Sequence, residues 1–302
     1  MNRTIVSWKS VRQILPPLVV MLLPAAVMWA AGEGRLEKTF DTTREPRISL
    51  HNLKGHVLVR GWDKAQVHVV YTVDSPRVEV DSEILPNTGP VEKVHFDTHL
   101  LDSTLPSNEQ GADYTLDVPA GATLEIRNPQ GKIRVEGMQA DASVESVGGD
   151  ISIRDFSGHL SVRSIAGDIE VIRPSGIVEA DSITGNLHFV SPATTRLHGT
   201  TTSGRILYEG DFMDRGDYFL SAYSGDVDIV CPPSASYELT AKTLKGKVIN
   251  TMPMTHRRES ASPLRANREL EARSSLLGTH NTGKATLELK SFSGTIRIRP
   301  QY

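Results

Sequence analysis

Hydrophobic and polar residues alternate along most of this chain, and the alternation restarts at an interval marked by glycine. Between residues 124 and 249 the frame recurs at steps of 18, 18, 18, 19, 21 and 21 residues. Apolar residues usually stand seven and five positions before each frame glycine, and again two and four positions after it. The frame glycines are Gly131, Gly149, Gly167, Gly185, Gly204, Gly225 and Gly246.

Each unit of this frame predicts two short β-strands joined by a turn, because apolar residues at alternate positions line one face of a strand. Units that pair with their neighbours at about 4.8 Å predict an all-β fold, a parallel β-solenoid of about eight coils. We expect the glycine to supply a turn with positive φ. We also expect the turn to fold inward, because the residue two before the glycine is usually apolar: Val147, Ile165, Ile183, Tyr223 and Leu244.

Residues 33–118 are rich in predicted strands but do not keep the strict frame. One copy of the frame is present at Gly55, with apolar residues at the same offsets. We predict that this segment forms an antiparallel β cap over the first coil, which would protect an exposed strand edge. The strand candidates are Ile48–His51, His56–Arg60, Gln66–Val73, Arg77–Ser82, Val91–Leu100 and Tyr114–Val118.

The frame breaks after Asn250 and returns once near the carboxyl terminus. Residues 251–283 contain prolines and a cluster of basic residues, and they predict an irregular insertion that is mostly a long mobile loop. Gly294 has the flanking apolar residues of the frame and predicts a last coil that closes the solenoid. The solenoid domain is therefore predicted to span residues 119–302, with the insertion inside it.

The amino terminus has the pattern of an export signal over residues 1–32. Arg3, Lys9 and Arg12 precede an apolar run from Ile14 to Ala31 that ends in small residues, as in a secretory signal peptide. An uncleaved anchor is the alternative, since 18 such residues approach the length of a membrane span. Both readings predict export, with membrane contact only through this segment if it stays uncleaved.

Composition narrows the choice of partners and of redox chemistry. With 33 basic and 36 acidic residues and a net charge of −3, nothing steers the chain toward nucleic acid. Cys231 is the single cysteine, so an internal disulfide and a cysteine-based metal cluster are both excluded. We expect this thiol to be buried or half-buried.

Three features of the sequence resemble one bacterial family. They are the Gly61-Trp62-Asp63 turn, the segment 114–121, and the Ser-x-x-Gly-Asp-Ile units that begin at Ser146 and Ser164. Together they resemble the putative-adhesin β-strand-repeat proteins (domain of unknown function number 4097) over roughly residues 35–302. The resemblance implies a repetitive β fold and a role in surface adhesion, and it implies no catalytic residues. The insertion departs from the family pattern.

A row of aligned carboxylates is the first candidate for a metal-binding site. Asp150, Asp168 and Asp226 each follow a frame glycine, and stacked coils would align them so that Ca²⁺ could bridge them. Basic and amide side chains occupy other positions of the same row, so we expect the carboxylates to cap turns instead of holding a metal. Those other residues are Lys132, Asn186, Arg205 and Lys247.

Two further kinds of site find little support. His95 and His99 share one face of a predicted strand but stand about 13 Å apart along it, too far to chelate one metal. Glycoside chemistry needs two carboxyl groups roughly 5–10 Å apart in a groove, and the linkers between strands are too short to wall one. We therefore predict no catalytic, cofactor-binding or metal-binding residues.

These observations predict an exported, non-enzymatic cell-envelope protein, in the periplasm or on the surface of a bacterium. It would present a rigid surface to an envelope polysaccharide or protein and use no cofactor. Two alternatives stay open. A carbohydrate-active β-helix enzyme would need a carboxylate pair in a groove roofed by residues 251–283, and an envelope-stress signalling partner would need an uncleaved amino-terminal anchor.

Overall fold

The computed structural model describes residues 34–86, 88–106, 109–256 and 274–301. Helix is nearly absent from these ranges, which confirms the all-β prediction. They contain 24 strands. In chain order the strands are β1 (Arg35–His51), β2 (Val57–Trp62), β3 (Gln66–Val73), β4 (Val78–Leu85), β5 (Val91–Leu100), β6 (Ala112–Pro119), β7 (Thr123–Asn128), β8 (Ile133–Glu136), β9 (Ala142–Ser146), β10 (Ile151–Arg154), β11 (Ser157–Ser164), β12 (Ile169–Ile172), β13 (Ser175–Ser182), β14 (Leu187–Val190), β15 (Ala193–Thr201), β16 (Ile206–Glu209), β17 (Asp217–Ala222), β18 (Val227–Cys231), β19 (Tyr237–Thr243), β20 (Val248–Asn250), β21 (Thr255–His256), β22 (Ser275–His280), β23 (Ala285–Ser291) and β24 (Ile296–Pro300).

The strands form two ladders, and most neighbours in each ladder are parallel. The first ladder runs β1-β3-β6-β2-β8-β10-β12-β14-β16-β18-β24-β20 and is parallel from β6 onward. The second runs β4-β5-β1-β7-β9-β11-β13-β15-β17-β23-β19-β22-β21 and is parallel from β5 to β19. Equivalent residues of successive units pair, as Ile151 does with Ile133 and Ile169.

The positions predicted to face inward make up a continuous hydrophobic core. In the Gly167 unit, Leu160, Val162, Ile169 and Val171 are each at most 1% exposed, and side chains from both ladders belong to one cluster. Val248 is only half-buried because it lies on β20, at the end of the first ladder. Burial of alternate residues on every unit therefore holds the stack together.

The frame glycines are required for close backbone approach more than for positive φ. Gly55 and Gly131 have φ of 119° and 104°, but the later frame glycines lie outside that region, so our expectation about φ fails for them. A Cβ on Gly149 would lie 1.8 Å from the carbonyl oxygen of Gly131, and one on Gly167 would lie 2.0 Å from that of Gly149. No side chain fits there.

The carboxyl-terminal unit lies inside the stack, so the prediction that it closes the solenoid in chain order is wrong. A Cβ on Gly294 would meet the carbonyl oxygen of Gly225, and one on Gly246 would meet that of Gly294. Correspondingly, β23 and β24 pair on one side with β17 and β18 and on the other with β19 and β20. With Gly55 included, the file contains nine glycines in the described residues instead of about eight: Gly55, Gly131, Gly149, Gly167, Gly185, Gly204, Gly225, Gly294 and Gly246.

The two irregular segments also pair differently from the predictions. The region 33–118 is not uniformly antiparallel, because β1 pairs in parallel with β5 and β7 while β4–β5, β1–β3 and β3–β6 are antiparallel. In the insertion, β21 and β22 extend the second ladder beyond β19 as antiparallel strands. The predicted signal peptide and the basic cluster of the insertion lie outside the described residues. No helix in the described part of the chain has the length and apolarity to cross a membrane.

Candidate functional site

Buried hydroxyl groups explain the Ser-x-x-Gly part of the repeated motif. Ser146 Oγ accepts a hydrogen bond from the backbone N–H of Gly149 at 3.0 Å, and Ser164 Oγ accepts one from Gly167 at 2.9 Å. Thr201 Oγ1 accepts the equivalent hydrogen bond from the backbone N–H of Gly204 at 3.0 Å. Each hydroxyl satisfies a buried N–H that would otherwise cost free energy, so the motif serves the turn.

The aspartates considered for calcium cap the backbone of the next unit. Asp168 Oδ1 accepts hydrogen bonds from the backbone N–H of Asn186 at 2.8 Å and from its side-chain amide at 3.0 Å. Asp150 Oδ1 faces the N–H of Asp168 at 3.3 Å. The carboxyl-terminal unit follows the Gly225 unit in the stack. Asp226 Oδ1 therefore accepts a hydrogen bond from the backbone N–H of Thr295, at 2.7 Å. These three aspartates thus reinforce the stacking.

At Asp226 this row of residues continues into a cluster of ionic groups around Asp228. Asp228 is 2% exposed, and its carboxylate accepts a hydrogen bond from Arg205 Nε at 2.6 Å. Arg297 donates to Asp226 Oδ2 at 2.7 Å and lies 3.4 Å from Asp228 Oδ1. Burial acts to raise the pKa of Asp226, but hydrogen bonds from Thr295 and Arg297 outweigh it and hold the pKa below its usual value. The cluster ties β16, β18 and β24 together.

We expect the thermal stability of the protein to fall as the pH drops below about 4. A carboxyl group with a lowered pKa in the folded state stabilises above its unfolded pKa, and this stabilisation is lost as the pH falls through the folded value. The pKa of Asp155 is lowered too, by its hydrogen bond with Arg173. In melting curves recorded at a series of pH values, Asp226→Asn should melt at a lower temperature than the wild type at neutral pH. Its melting temperature should fall less steeply than that of the wild type as the pH is lowered. An Asp226→Asn curve parallel to that of the wild type would contradict this assignment.

An exposed apolar ridge runs along the turns, where we expected inward side chains. Exposed fractions are 47% for Val147, 46% for Ile165 and 49% for Ile183. The strand alternation continues into the turn: the capping residue Ser164 takes the inward place, so Ile165 points out. We call this surface the turn ridge, and in stacking order its residues are Val147, Ile165, Ile183, Thr202, Tyr223, Phe292 and Leu244.

A groove lies beside the aliphatic half of the turn ridge. Its volume is about 480 Å³ and its wall is mostly apolar. One charged residue per unit stands at the rim, and the charges alternate in sign, so the rim as a whole is neutral. The rim residues are Arg127, Glu145, Arg163 and Asp181, and the floor is formed by Asn128, Pro129, Ser146, Val147, Ser164, Ile165, Ser182 and Ile183.

The other half of the turn ridge is aromatic. The rings of Tyr223 and Phe292 stack with centroids 4.6 Å apart and planes 5° apart. The ammonium group of Lys245 lies 5.0 Å from the centroid of Phe292. Tyr223 is 57% exposed and Leu244 70%. This contact exists because the carboxyl-terminal unit places Phe292 directly beside Tyr223.

The carboxylates at the rim of the groove lie close to basic groups. At the rim of the groove, Glu145 lies 3.4 Å from Arg127 Nε and Asp181 lies 3.8 Å from Arg163 Nε. A second cavity of about 560 Å³ is polar and mixes two glutamates with two arginines. It is lined by Thr43, Arg44, Glu45, Arg47, Glu92 and Thr123. The segment that would roof an enzyme groove lies largely outside the described residues, since 257–273 are not among them.

His95 and His99 lie on the same face of β5, as predicted, and they meet residues of different neighbouring strands. His99 lies 3.6 Å from Glu79 and 3.6 Å from Asp81, on β4. His95 instead meets His51 of the neighbouring strand β1, with ring centroids 4.9 Å apart. The sequence could not show this contact, because it depends on the parallel pairing of β1 with β5 between segments that do not follow the frame.

The single thiol is buried, as predicted. Cys231 is 0% exposed at the end of β18. Burial raises the pKa of its thiol to about 11. The thiolate, which is the reactive form, is therefore scarce at neutral pH.

Comparisons with known proteins give only distant similarities. No protein-family model and no curated protein matches the chain. A crystal structure of a putative adhesin from Bacteroides fragilis is 10% identical with a TM-score of 0.49, covering 89% of this chain and 98% of that one. A putative cell adhesion protein from Clostridium sporogenes is 10% identical with a TM-score of 0.29, covering 88% of this chain and 100% of that one. A putative adhesin from Parabacteroides distasonis is 8% identical with a TM-score of 0.35, covering 89% of this chain and 98% of that one. Similarities of this size assign neither a family nor a function to this chain.

Proposed function

We propose that this protein is a non-enzymatic interaction scaffold of the bacterial cell envelope, built as a β-solenoid. It binds an envelope protein through the turn ridge and its groove. The solenoid architecture is supported by the constant register of equivalent residues through both ladders. Because each unit hydrogen-bonds to the next, the ridge side chains are held at fixed intervals on a stiff support.

The observation that carries the proposal is the exposure of apolar side chains in one row along the turns, interrupted once. Single exposed apolar residues are ordinary, whereas contiguous patches mark interaction sites. On the turn ridge Thr202 alone interrupts the apolar series, between Ile183 and Tyr223. The turn does not need these side chains, since its caps and backbone pairing are supplied by other groups.

A protein partner fits this surface better than a polysaccharide does. The wall of the groove is aliphatic and mostly apolar, as is the buried centre of protein–protein interfaces. The alternating rim charges can pair with charges of either sign on a partner. The flat faces of Tyr223 and Phe292 are turned toward each other, which leaves less aromatic surface for a sugar ring.

Export is part of the proposal and is supported by the amino-terminal sequence. The sequence before residue 33 has the pattern of a signal peptide or anchor, with basic residues followed by an apolar run. The same amino-terminal pattern also supports the alternative of an envelope-stress signalling partner. That alternative differs only in requiring that the amino-terminal segment stay uncleaved as an anchor.

The test introduces negative charge into the aliphatic part of the turn ridge. We expect the double variant Ile165→Glu, Ile183→Glu to lose retention of detergent-extracted envelope proteins by at least about tenfold, because glutamate cannot be desolvated in an apolar interface. Leu101→Glu is the matched control, since Leu101 is 61% exposed and lies away from the ridge. Thermal denaturation should be unchanged in both proteins.

The same preparation is to be tested on immobilised peptidoglycan and other envelope polysaccharides, with the release of reducing ends scored together with retention. Retention on a polymer that survives the double substitution would replace the protein partner by a polysaccharide. Release of reducing ends would contradict the non-enzymatic assignment. Equal protein binding by the double variant and the wild type would show that the turn ridge is not the binding surface.

A further inference from the structure

Two neighbouring strands of the second ladder, β1 and β5, bring two histidines and an aspartate together on the outer face. The second half of β1 lies between β5 and β7 and is parallel to both. Ile48 and Leu50 of β1 face the core, so Ser49 and His51 face outward. In the register of the ladder, Ser49 lies beside His95, and His51 lies beside Asp97.

The possible ligand atoms of His51, His95 and Asp97 all lie within 4.8 Å of one another. His51 Nδ1 is 3.9 Å from Asp97 Oδ1. The two imidazole rings meet edge to face, with an interplanar angle of 83°. All three residues are half-buried, which leaves room for water at any remaining coordination position.

Two hydrogen-bonding features prepare these histidines for a metal. Ser49 Oγ lies 2.7 Å from His95 Nδ1. An outer partner on one ring nitrogen fixes the ring and leaves the other nitrogen available as a ligand, an arrangement that metal-binding histidines commonly show. His51 Nε2 is buried and has no hydrogen-bond partner among the described residues, and such an atom costs free energy unless a ligand or donor binds that nitrogen.

The donor set indicates the class of metal. Two imidazoles and one carboxylate suit Zn²⁺ and neighbouring first-row ions, while Ca²⁺ and Mg²⁺ prefer oxygen ligands alone. Zinc binds nitrogen and oxygen at about 2.0–2.2 Å, so side-chain rotations must bring the three atoms closer together. Glu125 lies 3.9 Å from His51 Nε2 and adds a second negative charge beside the site.

We propose that His51, His95 and Asp97 bind one Zn²⁺ ion, or a similar divalent transition-metal ion, on the outer face of the β5–β1–β7 sheet. The strands that carry the ligands are separated by many residues in the sequence. Bound metal therefore links β1 to β5 and stabilises the amino-terminal end of the stack.

The experiment titrates Zn²⁺ into tag-free, chelator-treated full-length protein and follows binding by calorimetry. We expect one ion per chain, and a loss of affinity of at least about tenfold in His51→Ala, His95→Ala and Asp97→Asn. In long-range ¹H–¹⁵N spectra, the ring nitrogens of His51 and His95 should shift on addition of Zn²⁺. The melting temperature should rise with Zn²⁺ in the wild type but not in these three variants.

His99→Ala is the matched control. His99 lies on the same strand as His95, and two carboxylates flank it at 3.6 Å, but it belongs to no cluster of three ligand atoms within the part of the chain that the structure describes. Its substitution should leave Zn²⁺ affinity unchanged. Loss of binding in His99→Ala but not in His95→Ala would move the metal to the β4–β5 edge and overturn the proposal. Failure of the wild type to bind Zn²⁺ would also overturn it, and neither outcome bears on the turn ridge.

Discussion

Gly149→Ala should destabilise the protein by about 3 kcal/mol or more, whereas Gly148→Ala should change stability by less than about 0.5 kcal/mol. These neighbouring glycines differ in what a methyl group would meet. At Gly149 a Cβ would lie 1.8 Å from the carbonyl oxygen of Gly131, and at Gly148 its nearest neighbour is Pro129 O at 4.0 Å. Backbone cannot move away as a flexible side chain can, so the two units must separate.

Urea unfolding followed by far-ultraviolet circular dichroism measures the difference between these two variants. Hydrogen exchange provides a local readout, because a separation between the Gly131 and Gly149 units should expose the amides that link β8 to β10. Gly148→Ala controls for the entropy that any glycine-to-alanine change removes from the unfolded chain. Equal stability of the two variants would mean that the glycine file is not closely stacked.

The alternation of apolar residues was enough to predict the core. Because every second residue of a strand faces the same way, Leu160, Val162, Ile169 and Val171 could be placed inside from spacing alone, and all four are buried. The same reasoning failed at the turn. There Ile165 follows the inward-facing Ser164, so an apolar side chain lies outside and a polar one inside. Hydrophobicity alone cannot recognise a buried hydroxyl that caps a backbone N–H.

The order of the units could not be predicted, because every unit carries the same frame and the frame is compatible with any neighbour. Gly294 therefore looked like the end of the stack, although its unit lies between those of Gly225 and Gly246. The contact between Tyr223 and Phe292 follows from that order. The cluster of His51, His95 and Asp97 was missed for a related reason, since its strands pair outside the repeat.

The arrangement of the carboxyl-terminal unit predicts which engineered cysteines can form a disulfide. Ser221 of β17 pairs with Lys290 of β23, which pairs in turn with Lys242 of β19. In-register parallel neighbours lie about 4.8 Å apart, within the Cα separation of a disulfide, and next-nearest strands are about twice as far apart. Cys231 should not interfere, because its thiol is buried and its pKa is raised to about 11.

The most direct test of the stacking, and with it of the turn ridge, is mild oxidation of two double-cysteine variants followed by peptide mass mapping. Ser221→Cys with Lys290→Cys should form the disulfide in nearly all molecules, while Ser221→Cys with Lys242→Cys should stay reduced. The opposite result would place the Gly246 unit directly after the Gly225 unit. It would thereby separate Phe292 from Tyr223 and contradict the surface proposed for binding.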